Sequence, residues 1–442
     1  MLLKGLKELG KSEIVRSVAI LSVGSVVSQL IPVLMSLVLA RIYTPRNYGD
    51  LGIFINCAGI LAVFVCGRYD YAIVRPKREV DALNLMALSA IVAVGVSLLT
   101  LVVFTVGSGF GVAALADFPG KYGLPLLLLF IAGYQILSNY ALRCEKYKRI
   151  TVANISKSVV QAVFRMGLGL MHVGTGLIVG CVVGWAGGCV AYVAKNRLAG
   201  SVRRCFSWKR IGQLAVRYKD FPRYLMAGNL LNALSTNLPV LLLAVFYPKS
   251  EIGYFSMSLS LLFLPVSLIG VSLGQVFYKK ATACTLQETG RIAGRFFAFT
   301  AVLGALLFAI LCAGGERLFS FVLGAEWARV GLYSIYLSPW FVAVLCLSPL
   351  AWIFDAKDRQ KTEMFLNLLM FLCRMAVVLC GGYLRLSFAT VMILYSVTGF
   401  LLWMVEGLFI CGTLRLRLGI GLKAAIGGGI LLMILFWAFR VW

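Results

Sequence analysis

Histidine is almost missing from this chain, and acidic residues are scarce. His172 is the single histidine, and 17 Asp and Glu face 42 Lys and Arg across 442 residues. No Cys-x-x-Cys pair and no Cys/His cluster has metal-ligand spacing, which excludes the common zinc and redox frameworks. Gly120-Lys121 lacks the upstream glycine and the following Ser or Thr of a Walker A loop, so an ATP-binding motor of that kind is excluded too. No paired carboxylates and no nucleophile–base arrangement stand out. The loops between apolar segments are too short to form a soluble domain. No catalytic group, cofactor or metal is therefore expected, and the chain does not read as an enzyme. His172 falls in a tight turn between two apolar segments, where a solvated turn residue is favoured over a proton relay.

What is present is apolar length. Sixty-one per cent of residues are hydrophobic and the mean hydropathy is +0.92. Repeated stretches of ~20 apolar residues mean membrane-spanning helices. The spans read as 17–40, 48–66, 82–106, 124–142, 150–171 and 175–194, then 224–246, 253–277, 296–313, 331–354, 362–381 and 386–411, with a further segment at 424–439. The first run is too long for a signal-peptide core and lacks a small-residue cleavage site, so it is expected to be retained. The organisation predicted is a basic N-terminus at 1–16, a six-helix lobe at 17–194 and a basic linker at 195–223. A second six-helix lobe follows at 224–411, then a basic loop and an extra helix at 412–442.

The formal net charge of +25 does not point to nucleic acid, because the basic residues are scattered through short loops. They read as topology signals facing anionic lipid headgroups. Their bias places the N-terminus in the cytoplasm, together with the loops 75–78, 143–149 and 195–223. An odd number of spans would put Trp442 outside. Most of the 12 cysteines fall within spans and are expected to be free thiols that pack as small hydrophobes. Cys144, Cys205 and Cys284 lie at or near the cytoplasmic loops.

The two halves repeat. Pro32 aligns with Pro239 at a spacing that also pairs Ser22 with Asn229, Ser25 with Asn232, Ser28 with Ser235 and Gln29 with Thr236. After a short gap, Ala40, Tyr43 and Gly49 pair with Ala244, Tyr247 and Gly253. In transporters such repeats form two bundles with a substrate site between them.

Three basic residues, Lys157, Arg165 and Arg374, lie inside spans. A charge at the centre of a membrane helix costs at least ~2.5–3.5 kcal/mol and is functional by default. At about 100° per residue, Asn154, Ser158, Gln161 and Arg165 share one helix face with Lys157 at its edge, and Glu363, Asn367 and Arg374 fall within a narrow arc. The first span presents Ser22, Ser25, Gln29 and Ser36; the seventh presents Asn229, Asn232 and Thr236. These polar stripes are expected to line one central cavity for an anionic cargo. The competing account is helix packing, in which amides and hydroxyls bond across helices and Lys157 snorkels to a membrane face. Glu363 either pairs with Lys361 or Arg374 or binds a coupling ion. Gly176, Gly180, Gly184 and Gly188 recur at a spacing that permits close helix approach. Pro32, Pro239, Pro265, Pro339 and Pro349 are placed to kink helices.

The segment Leu39-Ala40-Arg41-Ile42-Tyr43-Thr44-Pro45-Arg46-Asn47-Tyr48-Gly49 resembles the first external loop of polysaccharide transporters of the MOP exporter superfamily, the Wzx-type O-antigen flippases. Gly67-Arg68-Tyr69-Asp70-Tyr71-Ala72-Ile73-Val74, followed by Pro76 and Asp81-Ala82, looks like the loop between the second and third spans of that family. Arg143 through Arg149 is similar to one of its basic cytoplasmic loops. The resemblance implies an all-α, polytopic, MATE/MOP-like fold with two six-helix lobes around a central cavity. It implies that undecaprenyl-pyrophosphate-linked oligosaccharide is flipped across the bacterial inner membrane, in exchange for an ion, alongside polysaccharide polymerase and chain-length proteins. The candidate substrate contacts are Arg165, Arg374, Lys157, Gln161, Asn154, Asn367, Gln29 and Asn232, with Glu363 the candidate for ion coupling. The rival readings are a multidrug cation antiporter of similar fold, which would favour buried acids, another lipid exporter of the same superfamily, and a membrane-embedded glycosyltransferase or ligase, which would need acids in a sizeable external loop.

Overall fold

The computed structural model describes residues 13–110, 116–194, 202 and 204–414. The apolar segment 424–439 and the lysines of the basic N-terminus lie outside the described residues. The chain divides into two compact units, Met1–Leu241 and Leu242–Trp442. Among the described residues every regular element is helical.

The N-terminal unit contains α1 (Glu13–Leu39), α2 (Pro45–Leu61), the short α3 (Tyr69–Ala72), α4 (Glu79–Gly109), α5 (Gly123–Arg143), α6 (Tyr147–Leu170) and α7 (Gly176–Val193). An amphipathic helix, α8 (Trp208–Arg217), and a π-turn (Phe221–Leu225) lead into α9 (Met226–Phe246), within which the division between units falls. The C-terminal unit contains α10 (Lys249–Pro265), a π-turn (Val266–Gly270), α11 (Val271–Ala283), α12 (Leu286–Leu323), α13 (Ala328–Ala351), the short α14 (Ile353–Ala356), α15 (Gln360–Tyr383) and α16 (Phe388–Thr413). Among the described residues, nine helical stretches are long and apolar enough to cross a membrane. The remaining expected spans are α1, α2 and α6. Of these, α2 has 17 residues, and α6 carries Lys157 and Arg165. The exposed leucines and valines of α4, among them Leu98, Leu99 and Val102, suit a lipid environment. The protein is a multi-pass membrane protein.

Local chemistry sets the helix boundaries. Thr44 caps α2, with Pro45 in the first turn and Asn47 closing a reciprocal capping box. Thr285 and Glu288 form the same device at the start of α12. His172 adopts φ 56° in the turn after α6 and is exposed, as a turn residue should be. No disulfide joins any of the twelve cysteines.

The internal repeat has a physical counterpart in each unit. The Tyr43 hydroxyl donates to the carbonyl of Arg165 on α6, at 2.8 Å. The Tyr247 hydroxyl donates to the carbonyl of Leu386, just after α15, at 3.0 Å. In each half, the tyrosine after the first span ties itself to the backbone of the fifth span or the turn that follows it.

The glycine stripe of α7 packs against the polar stripe of α6. A Cβ at Gly180 would lie 2.5 Å from Arg165 Cγ, and one at Gly184 2.6 Å from Gln161 Cβ. Gly176 admits the Tyr43 ring, and Gly188 admits Tyr134 and the Lys157 stem. Gly180, Gly184 and Gly188 thus seat α7 on the bulky polar side chains of α6.

The described part of the basic linker packs on the N-terminal unit. The Asn84 amide of α4 donates to the Cys205 carbonyl at 2.9 Å, and its oxygen accepts from the Ser207 N–H at 3.0 Å. Ile211 and Leu214 of α8 are buried in the same cluster as Leu83, Leu85 and Leu128. In the C-terminal unit, α13 is the central helix, buried along most of its length and packed on by α10, α12 and α16.

Candidate anion-binding sites

Arg165 is buried, 9% exposed. Its Nε donates to the Leu177 carbonyl of α7 at 3.1 Å. With the Gln161 amide turned to bring its oxygen to the guanidinium, Oε1 accepts from Nη1 at 2.9 Å and from Nη2 at 3.2 Å. The charge is therefore wrapped by polar atoms of its own unit. Two other members of the α6 stripe also bond across helices. Asn154 accepts from the Tyr134 hydroxyl, and Ser158 donates to the Ser28 carbonyl of α1 at 2.8 Å.

Lys157 and Arg374 are held differently. No carboxylate lies within ion-pair distance of either among the described residues. Lys157 Nζ lies 4.2 Å from the ring centre of Trp185 and 5.2 Å from that of Tyr134. The Arg374 guanidinium lies 4.6 Å from the Trp340 ring and 5.5 Å from the Tyr395 ring, and its buried Nε has no hydrogen-bond partner. These separations are within the ~6 Å reach of a cation–π contact. Both cations are half-buried. Gly399 makes room for Trp340, since a Cβ there would meet the indole at 2.7 Å.

The remaining expected residues are more dispersed. Gln29, Asn232 and Asn367 are exposed side chains on α1, α9 and α15. Asn229 donates to the Leu225 carbonyl of the preceding π-turn at 2.7 Å, and Thr236 to the Asn232 carbonyl of α9 at 3.0 Å. Glu363 is half-buried in the first turn of α15. The sequence reading missed Glu406 on α16, which is 5% exposed and within electrostatic reach of Glu363 and Arg374. It is an acidic residue inside the last described span, and that placement alone was the available signal.

The second and third segments that carry the resemblance come together at the end of the N-terminal unit where α3 lies. Arg143 donates to the carbonyls of Val74, Pro76 and Lys77, and Asn139 donates to Asp70 Oδ2 at 3.3 Å. Their role there is to clamp the α3–α4 turn onto the end of α5.

Solved transporter structures share this fold. An inward-facing multidrug-resistance MATE transporter of the MOP superfamily matches with a TM-score of 0.65 at 12% identity, over 88% of this chain and 94% of its own. The lipid II flippase MurJ in an inward closed conformation matches at 0.63 and 13%, over 95% and 96%. A MOP transporter from Pyrococcus furiosus, described by the reverse polarity of its binding pocket, matches at 0.54 and 12%, over 90% and 95%. The sequence model of the polysaccharide biosynthesis protein family matches residues 38–331, and the chain belongs to that family. No curated protein sequence matches it.

Proposed function

We propose that this protein flips an undecaprenyl-pyrophosphate-linked oligosaccharide across the bacterial inner membrane by alternating access, with its N-terminus in the cytoplasm. The observation that carries the reading is the pair of intramembrane cations, Lys157 and Arg374, with which no carboxylate forms an ion pair among the described residues. A pyrophosphate is a compact polyanion that Arg engages through paired N–H donors and Lys through a point charge. Membership of a polysaccharide biosynthesis family supports a glycan cargo. Arg165, whose donors serve Leu177 and Gln161, holds α6 to α7 and contributes positive potential. Gln161, Asn154, Asn367, Gln29 and Asn232 are the proposed sugar contacts. Glu363, with Glu406, is the proposed ion-coupling group.

A second reading, export of an organic cation, has the buried Glu406 in its favour. Proteoliposomes separate the two. Flipping of undecaprenyl-pyrophosphate glycan, read by the accessibility of the sugar to an added enzyme, is expected to fall at least about tenfold in Lys157→Gln and in Arg374→Gln, since each removes a charge-assisted contact. Arg374→Lys should restore part of the rate, because an ammonium lacks the planar fork. Wild-type flipping by the double variant Lys157→Gln/Arg374→Gln, or transport of an organic cation that depends on Glu406, would overturn the first reading.

A further inference from the structure

The two intramembrane cations sit in matching surroundings. In the N-terminal unit, Lys157 on the fifth span rests against Tyr134 of the fourth and Trp185 of the sixth. In the C-terminal unit, Arg374 on the eleventh span rests against Trp340 of the tenth and Tyr395 of the twelfth. The Tyr134–Trp185 pair meets edge to face, with centroids 5.2 Å apart and planes at 89°. The Trp340–Tyr395 pair does the same at 5.5 Å and 88°. Each unit therefore places one cation, one Trp and one Tyr on three consecutive spans, with the Trp and Tyr exchanged between the flanking helices.

An aromatic partner differs from an acidic one in what it leaves available. A carboxylate would neutralise the cation and occupy its donors. A ring face attracts the charge through its quadrupole while accepting none of the in-plane N–H groups. In Arg374 the Nε is without a partner, and the Tyr395 side chain lies within hydrogen-bond reach of the guanidinium. A guanidinium held over rings keeps, along its edge, N–H groups that no carboxylate occupies among the described residues. The bidentate partner that fits such an edge is a phosphate or pyrophosphate oxyanion.

We infer that each unit carries its own oxyanion subsite, in which Tyr134 and Trp185 position Lys157, and Trp340 and Tyr395 position Arg374, for a phosphate-type ligand. The inference rests on the proposed pyrophosphate cargo and adds the residues that hold the cations ready. The four aromatic residues are positioning residues; the cations make the contact.

The test uses the full chain in lipid nanodiscs, with inorganic pyrophosphate as the probe at constant ionic strength. Tryptophan emission should change saturably. Trp185→Phe should remove one component of the change and Trp340→Phe the other, because each indole lies beside one subsite. Arg374→Gln should abolish the Trp340 component with both rings intact, and Lys157→Gln the Trp185 component. Trp340→Leu/Tyr395→Leu, read by the binding of labelled pyrophosphate, should weaken the C-terminal subsite about tenfold, whereas Tyr395→Phe, which retains the ring, should bind within about twofold of wild type. Unchanged affinity in the double leucine variant would remove the positioning role and leave the flippase reading standing. If that variant does not fold, a Trp340 response that survives Arg374→Gln overturns the inference equally well. A wild-type protein with no saturable response to pyrophosphate would overturn both the inference and the reading it rests on.

Discussion

Asp70 lies outside the spans on the four-residue α3, and only 1% of its surface is exposed. Its Oδ2 accepts from Asn139, while Oδ1 has no partner. Burial pushes its carboxyl up to about 6, against the opposing pull of the Arg68 guanidinium and of nearby backbone N–H groups. Arg68 itself adopts a left-handed φ of 60° at the start of α3 and leaves its Nε unpaired. A carboxyl whose folded pKa is raised binds its proton more tightly in the folded chain than in the unfolded one. Its contribution to stability is therefore full below about pH 4 and is lost as pH rises to about 6. Relative to wild type, Asp70→Asn should flatten the decline in melting temperature across that interval, by an amount corresponding to at most about 2–3 kcal/mol. Parallel pH profiles for the two proteins in detergent would show that Asp70 is already ionised in the fold.

At the scale of helices, the α6–α7 pair makes the sharpest prediction. Gly180→Ala would drive a Cβ to 2.5 Å from Arg165 Cγ and 3.0 Å from its backbone nitrogen. Overpacking of this kind costs about 1–3 kcal/mol. Gly167→Ala is the matched control, since nothing lies within 4 Å of a Cβ there. Thermal unfolding should show a clear loss for the first and none for the second. This pairing also shows what could be read before the structure. The glycine stripe was legible as a packing surface because its spacing has one physical use, but its partner was not, because periodicity does not say which helix a face meets. The α6 stripe was read as one polar face. The structure divides it: Ser158 bonds to α1 and Arg165 to α7, while Lys157 lies against two aromatic rings. Helices and their order were legible from apolar length alone. The docking of α8 through Asn84 was not, because that amide lies inside an apolar run and its partners are backbone groups of a distant loop. The Trp–Tyr pairs were hidden for a related reason, since aromatic residues are common in membrane helices and only three-dimensional proximity sets these four apart.

For the molecule as a whole, orientation is the property most open to direct test. The basic residues of α8 and its flanks, Arg204, Lys209, Arg210 and Arg217, are exposed, and the N-terminal unit holds this helix in place through Asn84. Positive charge in short loops is retained on the cytoplasmic side. A cysteine introduced at Lys209 should resist a membrane-impermeant thiol reagent added to intact cells and react once the membrane is opened. Labelling in intact cells would reverse the assigned orientation.

The pairing of Arg374 with rings instead of an acid bears on how a cargo is let go. A ring face attracts the cation through its quadrupole and, unlike a carboxylate, carries no net charge of its own. Departure of a bound anion from Arg374 then follows from geometry, as the ring faces and the cation are drawn apart, from a change of charge at the proposed coupling acids Glu363 and Glu406, or from removal of the delivered molecule by whatever consumes it.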